Sequence, residues 1–196
     1  MTHIKTGVNQ SGIVELLFYK GPTGKALSYL ANTILNGPSP LSRGERELIA
    51  YHVSKQNDCA FCAASHGAVA DLLLNDSGAI RKSIDAQIIH HNLRPVMPAL
   101  IEIASQVQQG GKHVKEESIA KAKALGACDE MIHDTILVAS AFCMYNRYVD
   151  GLATGLPVDD QDYLKSAQRI VKKGYSYPPL FLRKWIIKIL NRHQNR

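Results

Sequence analysis

Apolar residues recur at three- and four-residue spacing along most of the chain, the signature of amphipathic helices. Thr23 to Asn36 places Leu27, Leu30, Ala31, Ile34 and Leu35 on one face. A helix from Ser42 carries Leu48, Ile49, Tyr51, His52 and Val53, and the next runs through Val69 and Leu72 to Leu74. Ala79 to Asn92, Val96 to Gln109 and Glu116 to Leu125 read as three more. Asp129 is placed to cap a long helix ending near Gly151 or Ala153, apolar nearly all round, as expected of a central buried helix. Asp160 or Asp162 caps another to about Lys173, and the chain closes on LFLRKWIIKILNRHQNR. Gly21-Pro22, Gly37-Pro38, Asn57-Asp58, Arg94-Pro95, Gly110-Gly111 and Pro157 mark the breaks. Only Ile13 to Tyr19 stays open, as a short strand, a helical turn or an arm on a neighbouring subunit. The pattern predicts an all-α, compact single-domain helical bundle of about eight helices, with no convincing internal repeat.

Composition narrows this little: 196 residues suffice for one domain with a sizeable core, and a hydrophobic content of 45% is ordinary. Charge changes the picture more. Lys165 to Arg196 holds nine Lys or Arg and no Asp or Glu, so the formal +6 belongs to the tail; the preceding residues carry 14 basic and 17 acidic side chains, a net of −3. The tail predicts an amphipathic helix with Leu182, Trp185, Ile186 and Ile189 on one side and Lys184, Lys188 and Arg192 on the other. Its stripe is expected to dock on its own domain or a sister subunit, ahead of contact with an anionic membrane surface. No aromatic-interleaved basic motif points to nucleic acid. No run approaches 18 apolar residues, and MTHIKTGVNQSG lacks the apolar core of a signal peptide. Four cysteines do not make a disulfide scaffold in a chain this long. A cytoplasmic protein is the expectation.

Candidate chemistry concentrates between Ser42 and Asp71, in the pattern Glu47-x11-Cys59-x2-Cys62-x3-His66. Ser42 and Glu45 fit a capping box, which gives Glu45 a structural role and leaves Glu47 to be explained. Asp58 suits the N-cap of the second helix, placing Cys59 in its first turn. Cys59, Cys62 and His66 then fall at i, i+3 and i+7 on one face. A helix N-terminus or a neighbouring imidazole favours thiolate, the nucleophilic form. The dipole favours Cys59 and the imidazole favours Cys62, so the residues alone leave the nucleophile open. A second thiol three residues away can resolve a sulfenic acid as a disulfide. If the two helices pack antiparallel, Glu47 can orient His66 or relay protons.

Other readings of the same residues compete. Two Cys, a His and a Glu satisfy a tetrahedral zinc site, although structural zinc usually draws its remaining ligands from distant sequence. Inert core thiols are the plain alternative, and no βαβ pattern supports a thioredoxin-like motif. Cys128 and Cys143 read as inert thiols. His133 is expected away from the site, the His90-His91 pair diverges by about 100° on a helix, and Asn146 and Arg147 read as packing anchors.

The segment RERELIA, followed by C-x-x-C-x-x-x-H, resembles the alkyl hydroperoxide reductase D / carboxymuconolactone decarboxylase family, most of all its peroxidase-related subgroup. FCMYNRYVDGLATGLP supports the likeness, which runs over roughly Gly37 to Pro157 and leaves about 160–196 as a basic helical extension. The resemblance implies Cys62 as the peroxidatic thiol, Cys59 as the resolving thiol, and Glu47 and His66 as the proton relay. It also implies a homo-oligomer, often a trimer or hexamer, with the site near a subunit interface. Two positions depart from it: Phe61 and Ser65 stand where relatives carry histidine, so a shorter relay is expected.

The reading is a thiol-dependent antioxidant enzyme that reduces hydroperoxides through the dithiol cycle. An external dithiol, such as a lipoyl group on a protein, would re-reduce it, with no metal or organic cofactor. The family's lactone decarboxylases lack this dithiol. A disulfide reductase and a redox-sensing oligomer are the alternatives.

Overall fold

The chain folds around the segment that starts at Ser42. The computed structural model describes residues 2–88 and 90–193, and among them there are ten α-helices, two short 3-10 turns and no strand. The helices are α1 (Ile13–Tyr19), α2 (Gly21–Asn36), α3 (Arg43–Gln56), α4 (Ala60–Leu74), α5 (Ala79–Asp85), α6 (Met97–Gln109), α7 (Glu116–Ala124), α8 (Asp129–Gly151), α9 (Gln161–Lys173) and α10 (Arg183–His193). The all-α expectation therefore matches, with ten helices rather than about eight. The open N-terminal segment is a helix of its own. Thr2 and Thr6 tie the preceding arm down by donating to the buried Glu15 carboxylate of α1.

The central helix is α3, not α8 as the apolar pattern suggested. Ten α3 residues are buried, including Glu45, Arg46 and Glu47. α8 keeps an exposed edge, with Leu137 and Met144 at 39% and 44% exposure. Hydropathy misassigns the centre because the buried charges of α3 have partners, and a paired ion can be buried where an unpaired one cannot. Ser42 and Glu45 form the expected capping box, and Arg94 grips Glu45 at 2.6 and 2.8 Å. Arg46 donates to the Ile34 carbonyl at 3.1 Å. Leu48, Ile49 and Val53 then meet Met97, Leu100 and Ile103 of α6, and Val138 and Phe142 of α8, in one core.

α3 and α4 run antiparallel in close contact. Gly44 lies where a Cβ would come within 2.7 Å of Leu74, and Gly67 where one would come within 3.1 Å of Tyr51. Three element boundaries differ from those read in the sequence. α4 is capped by Cys59 itself, because Asp58 turns the chain through the left-handed region at φ 57°. α8 is capped by Cys128 rather than Asp129. α5 stops at Asp85 instead of Asn92: Gln87 adopts φ 57° and Ile88 N–H closes on the Ser83 carbonyl, a left-handed helix ending. Ile89, within that predicted helix, and Gln194 to Arg196 of the predicted tail helix lie outside the described residues.

α1 leans on α2 at Gly24, where a Cβ would sit 2.0 Å from the Leu17 carbonyl oxygen. Alanine would raise the helix propensity of α2 by about 1 kcal/mol, but the clash is with backbone and cannot be relieved by a rotamer. Gly24→Ala is expected to cost about 2 kcal/mol net, measured as a lower denaturant midpoint with an unchanged slope.

Candidate active site

Each predicted residue reaches the site from a separate structural device. The α3 capping box fixes the turn that carries Glu47, whose residue is fully buried. Antiparallel packing brings His66 of α4 against it, and His66 Nδ1 lies 2.7 Å from Glu47 Oε2. The left-handed turn at Asp58 sets Cys59 at the N-cap and Cys62 at the third helical position, both buried. All four side chains named from the sequence therefore fall in one region.

Two further residues belong there that the sequence did not mark as site residues. Tyr175, in the turn after α9, donates its hydroxyl to Glu47 Oε1 at 2.7 Å and lies 3.3 Å from His66 Nδ1. Gly174, at φ 67°, swings the chain back so that this ring enters. Burial and the adjacent Glu47 charge hold the Tyr175 phenol far above its ordinary pKa, so it stays a donor. Asn146 of α8 is fully buried; it donates to Ser54 at 3.0 Å, accepts from Asn57 at 2.9 Å, and acts on Cys62 to lower its pKa. Asn146 is thus the packing anchor anticipated and also a thiol partner.

The imidazole is firmly seated. Phe142 meets the His66 ring edge-on at 4.5 Å between centroids, and Tyr175 stacks on it at 5.9 Å. With Glu47 accepting from Nδ1–H, Nε2 is the nitrogen left to exchange a proton.

The two thiols are electrostatically unlike. Cys59 hydrogen-bonds to Cys62, which pulls the Cys62 thiol below its ordinary pKa; His66 and Asn146 act in the same direction, against burial and Asp150. The same bond, with burial, pushes Cys59 far upward. Of the two, Cys62 is thus the thiol shifted toward ionisation and Cys59 the one shifted away from it, the direction in which the imidazole acts.

Cys62 and His66 line a cavity of about 110 Å³ with a mostly apolar wall. Ile13 and Leu17 of α1, Leu27 of α2, and Phe142 and Tyr145 of α8 form much of it. Phe61 closes one side against Gly12 and the Tyr163 ring, 5.9 Å away, so this departure from the family pattern supplies wall rather than a proton carrier. Ser65 lines the same cavity. A much larger cleft, about 960 Å³, lies elsewhere among His52, Lys55, Asp85, Glu102 and Ser105. It is open, of mixed polarity, and contains no thiol. Burial pushes its His52 down to about 4, leaving a neutral ring 2.7 Å from Ser105.

The remaining residues weighed in the sequence lie apart from the dithiol or do no visible chemistry. His133 is exposed and pairs with its neighbour Asp134; Cys128 is exposed; Cys143 packs against the core and accepts from Asn57 at 3.8 Å. Among the described residues no three His, Cys, Asp or Glu side chains converge as a metal ion requires. Within the candidate set Glu47 is already engaged by His66 and Tyr175.

The thiol asymmetry is directly measurable. Alkylation followed by peptide mass spectrometry across pH should label Cys62 first. Cys59→Ala, which removes the donor to Cys62, should move the Cys62 labelling midpoint to higher pH. Equal labelling of both thiols at neutral pH would contradict the assignment.

Residues 22–71 match the model of the carboxymuconolactone decarboxylase family. No curated protein matches the chain significantly in sequence. Among solved structures it is similar to an uncharacterized peroxidase-related protein from Silicibacter sp., at 23% identity over 78% of each chain with a TM-score of 0.65. It is also similar to an alkylhydroperoxidase AhpD core protein, an uncharacterized peroxidase-related protein from Ralstonia eutropha. That likeness is at 19% identity, covering 80% of this chain and 81% of the other with a TM-score of 0.68. Residues 22–71 therefore carry the pattern of the carboxymuconolactone decarboxylase family, and the chain as a whole shares the fold of the two AhpD-like, peroxidase-related structures.

Proposed function

We infer that the protein is a cysteine-based hydroperoxide reductase. The observation that carries this reading is the unequal thiol pair beside a Glu47–His66 hydrogen bond, at a small apolar cavity. Cys62 thiolate attacks the terminal peroxide oxygen, the O–O bond breaks, and the leaving alkoxide takes a proton from His66 Nε2 to depart as an alcohol. Cys62 is then a sulfenic acid. Cys59 sulfur attacks the Cys62 sulfur, a disulfide forms and water leaves, with its second proton coming from the Cys59 thiol. An external dithiol returns both electrons through a mixed disulfide.

Glu47 holds the imidazole by its Nδ1–H and stabilises the imidazolium between proton transfers. Tyr175 supplies the carboxylate's second donor. The apolar wall favours an organic hydroperoxide over hydrogen peroxide. The peroxidase-related descriptions of the two similar structures agree with this reading, and so does the dithiol, which a lactone decarboxylation does not use. Self-association belongs to the same reading, and the exposed Leu137 and Met144 of α8 are suited to it. No described helix is long and apolar enough to cross a membrane.

The decisive assay follows cumene hydroperoxide consumption with a dithiol present. Wild type should turn over many times per dithiol pair. Cys62→Ser should be inactive, and Cys59→Ser should stop after one turnover with a sulfenic acid that dimedone traps. Consumption no faster than the dithiol alone would overturn the reading and favour disulfide exchange or redox sensing.

Proton handling gives an independent check. His66→Ala should lower kcat/KM by about 100-fold, the lower part of the range for general acid–base groups. Tyr175→Phe should keep the fold and shift the pH–rate profile, because Glu47 would lose one of its two donors. An unchanged profile would remove Tyr175 from the relay.

A further inference from the structure

The tail helix α10 seats its sequence stripe as expected except at Trp185. Leu182, just before it, and Ile186, Ile187, Ile189 and Leu190 within it are half-buried, whereas Trp185 is 62% exposed. At 100° per residue, Lys184, Trp185, Lys188 and Arg192 share one arc about 100° wide, and all four are exposed. Phe181, in the 3-10 turn that precedes them, is 82% exposed. Neither ring packs on another aromatic ring among the described residues.

This arc cannot fold inward, because the helix is pinned at both ends. Arg183 donates to the Phe18 carbonyl at 2.6 Å and also to that of Tyr19. Asn191 accepts from Asn9 N–H at 2.7 Å and donates to the Gly7 carbonyl at 3.0 Å. Tyr177 stacks on Phe18 at 5.5 Å. The helix is therefore held with two large aromatic side chains and three cations directed outward. Lys172 and Lys173 at the end of α9 add exposed positive charge nearby in sequence, and no acid occurs from Lys165 to the end of the chain.

We propose that this face seats the protein on an anionic lipid surface. Lys and Arg meet the lipid phosphates while Trp185 and Phe181 enter the headgroup region, the arrangement of helices that lie in a membrane interface. A nucleic acid fits less well: the arc carries no Asn, Gln or Ser to read bases, and Asn191 is occupied by Gly7 and Asn9. The segments that hold the helix also line the thiol cavity. Leu17 accepts from Tyr177, and Gly174, Tyr175 and Ser176 lead directly into the tail. The lipid surface would therefore lie beside the chemistry without taking part in it.

Trp185 is the sole tryptophan of the chain, so its fluorescence reports this face alone. The full chain is titrated with vesicles of phosphatidylcholine and phosphatidylglycerol, with phosphatidylcholine alone, and with duplex DNA at the same salt. A blue shift with the anionic vesicles only, with quenching by bromine-labelled acyl chains, is the expected result. Lys188→Gln should weaken partitioning about fivefold. Phe181→Ser should weaken it without changing charge, and both variants should keep the wild-type melting temperature. No shift with anionic vesicles would overturn the proposal, as would an equal shift with DNA or an unchanged affinity in both variants. Because no step of this test involves peroxide, its outcome is separate from that of the reductase reading.

Discussion

A carboxylate in the dry centre of a helical protein is the constraint on which the rest of this site depends. Glu47 is fully buried, and an ionised carboxylate without partners in such a place would cost several kcal/mol. It is satisfied from two directions, by His66 on α4 and by Tyr175 beyond α9. Meeting that need fixes the antiparallel register of α3 on α4 and the turn at Gly174. It also sets the orientation of the imidazole beside Cys62. The electrostatics of the site and the packing of the bundle are therefore one problem. A change that loosened either helix pair would reach the chemistry by leaving Glu47 short of a donor.

The dithiol adds a second asymmetry along the chain. Cys59 caps α4 while Cys62 lies within its first turn, so two cysteines three residues apart sit in different surroundings. Cys62 lines the cavity with His66, whereas Cys59 does not line it, although both thiols pack in one small cluster with Val149. On the proposed reading the nucleophile is the thiol that lines the cavity and the resolving thiol is the one at the helix cap. The positive φ of Asp58 provides that division, since it turns the chain sharply enough to end α3 and begin α4 without a loop.

What the sequence disclosed followed from local rules. The Ser42–Glu45 box and the spacing of Cys59, Cys62 and His66 depend only on residues a few positions apart, and both are present in the structure. Tyr175 and Asn146 were not legible as site residues, because they lie 128 and 92 positions from their partners Glu47 and Ser54. Nothing local distinguishes Tyr175 from the chain's other tyrosines. The centre of the bundle was misplaced for a related reason. Hydropathy sees the four charges in Arg43 to Glu47 as solvent-facing, and only tertiary pairing with Arg94, His66, Tyr175 and the Ile34 carbonyl makes most of them buriable.

The tail shows the same limit from the other side. A stripe of Leu182, Trp185, Ile186 and Ile189 is the natural reading of its hydrophobic period. In the structure Arg183 and Asn191, about two turns apart, help to decide the rotation, because each satisfies backbone groups of the N-terminal arm and α1. Backbone groups left unpaired in a half-buried place are costly, and a tryptophan can stay partly in water at a smaller cost. Polar anchors therefore override the apolar stripe at Trp185, which is left on the cationic side of the helix.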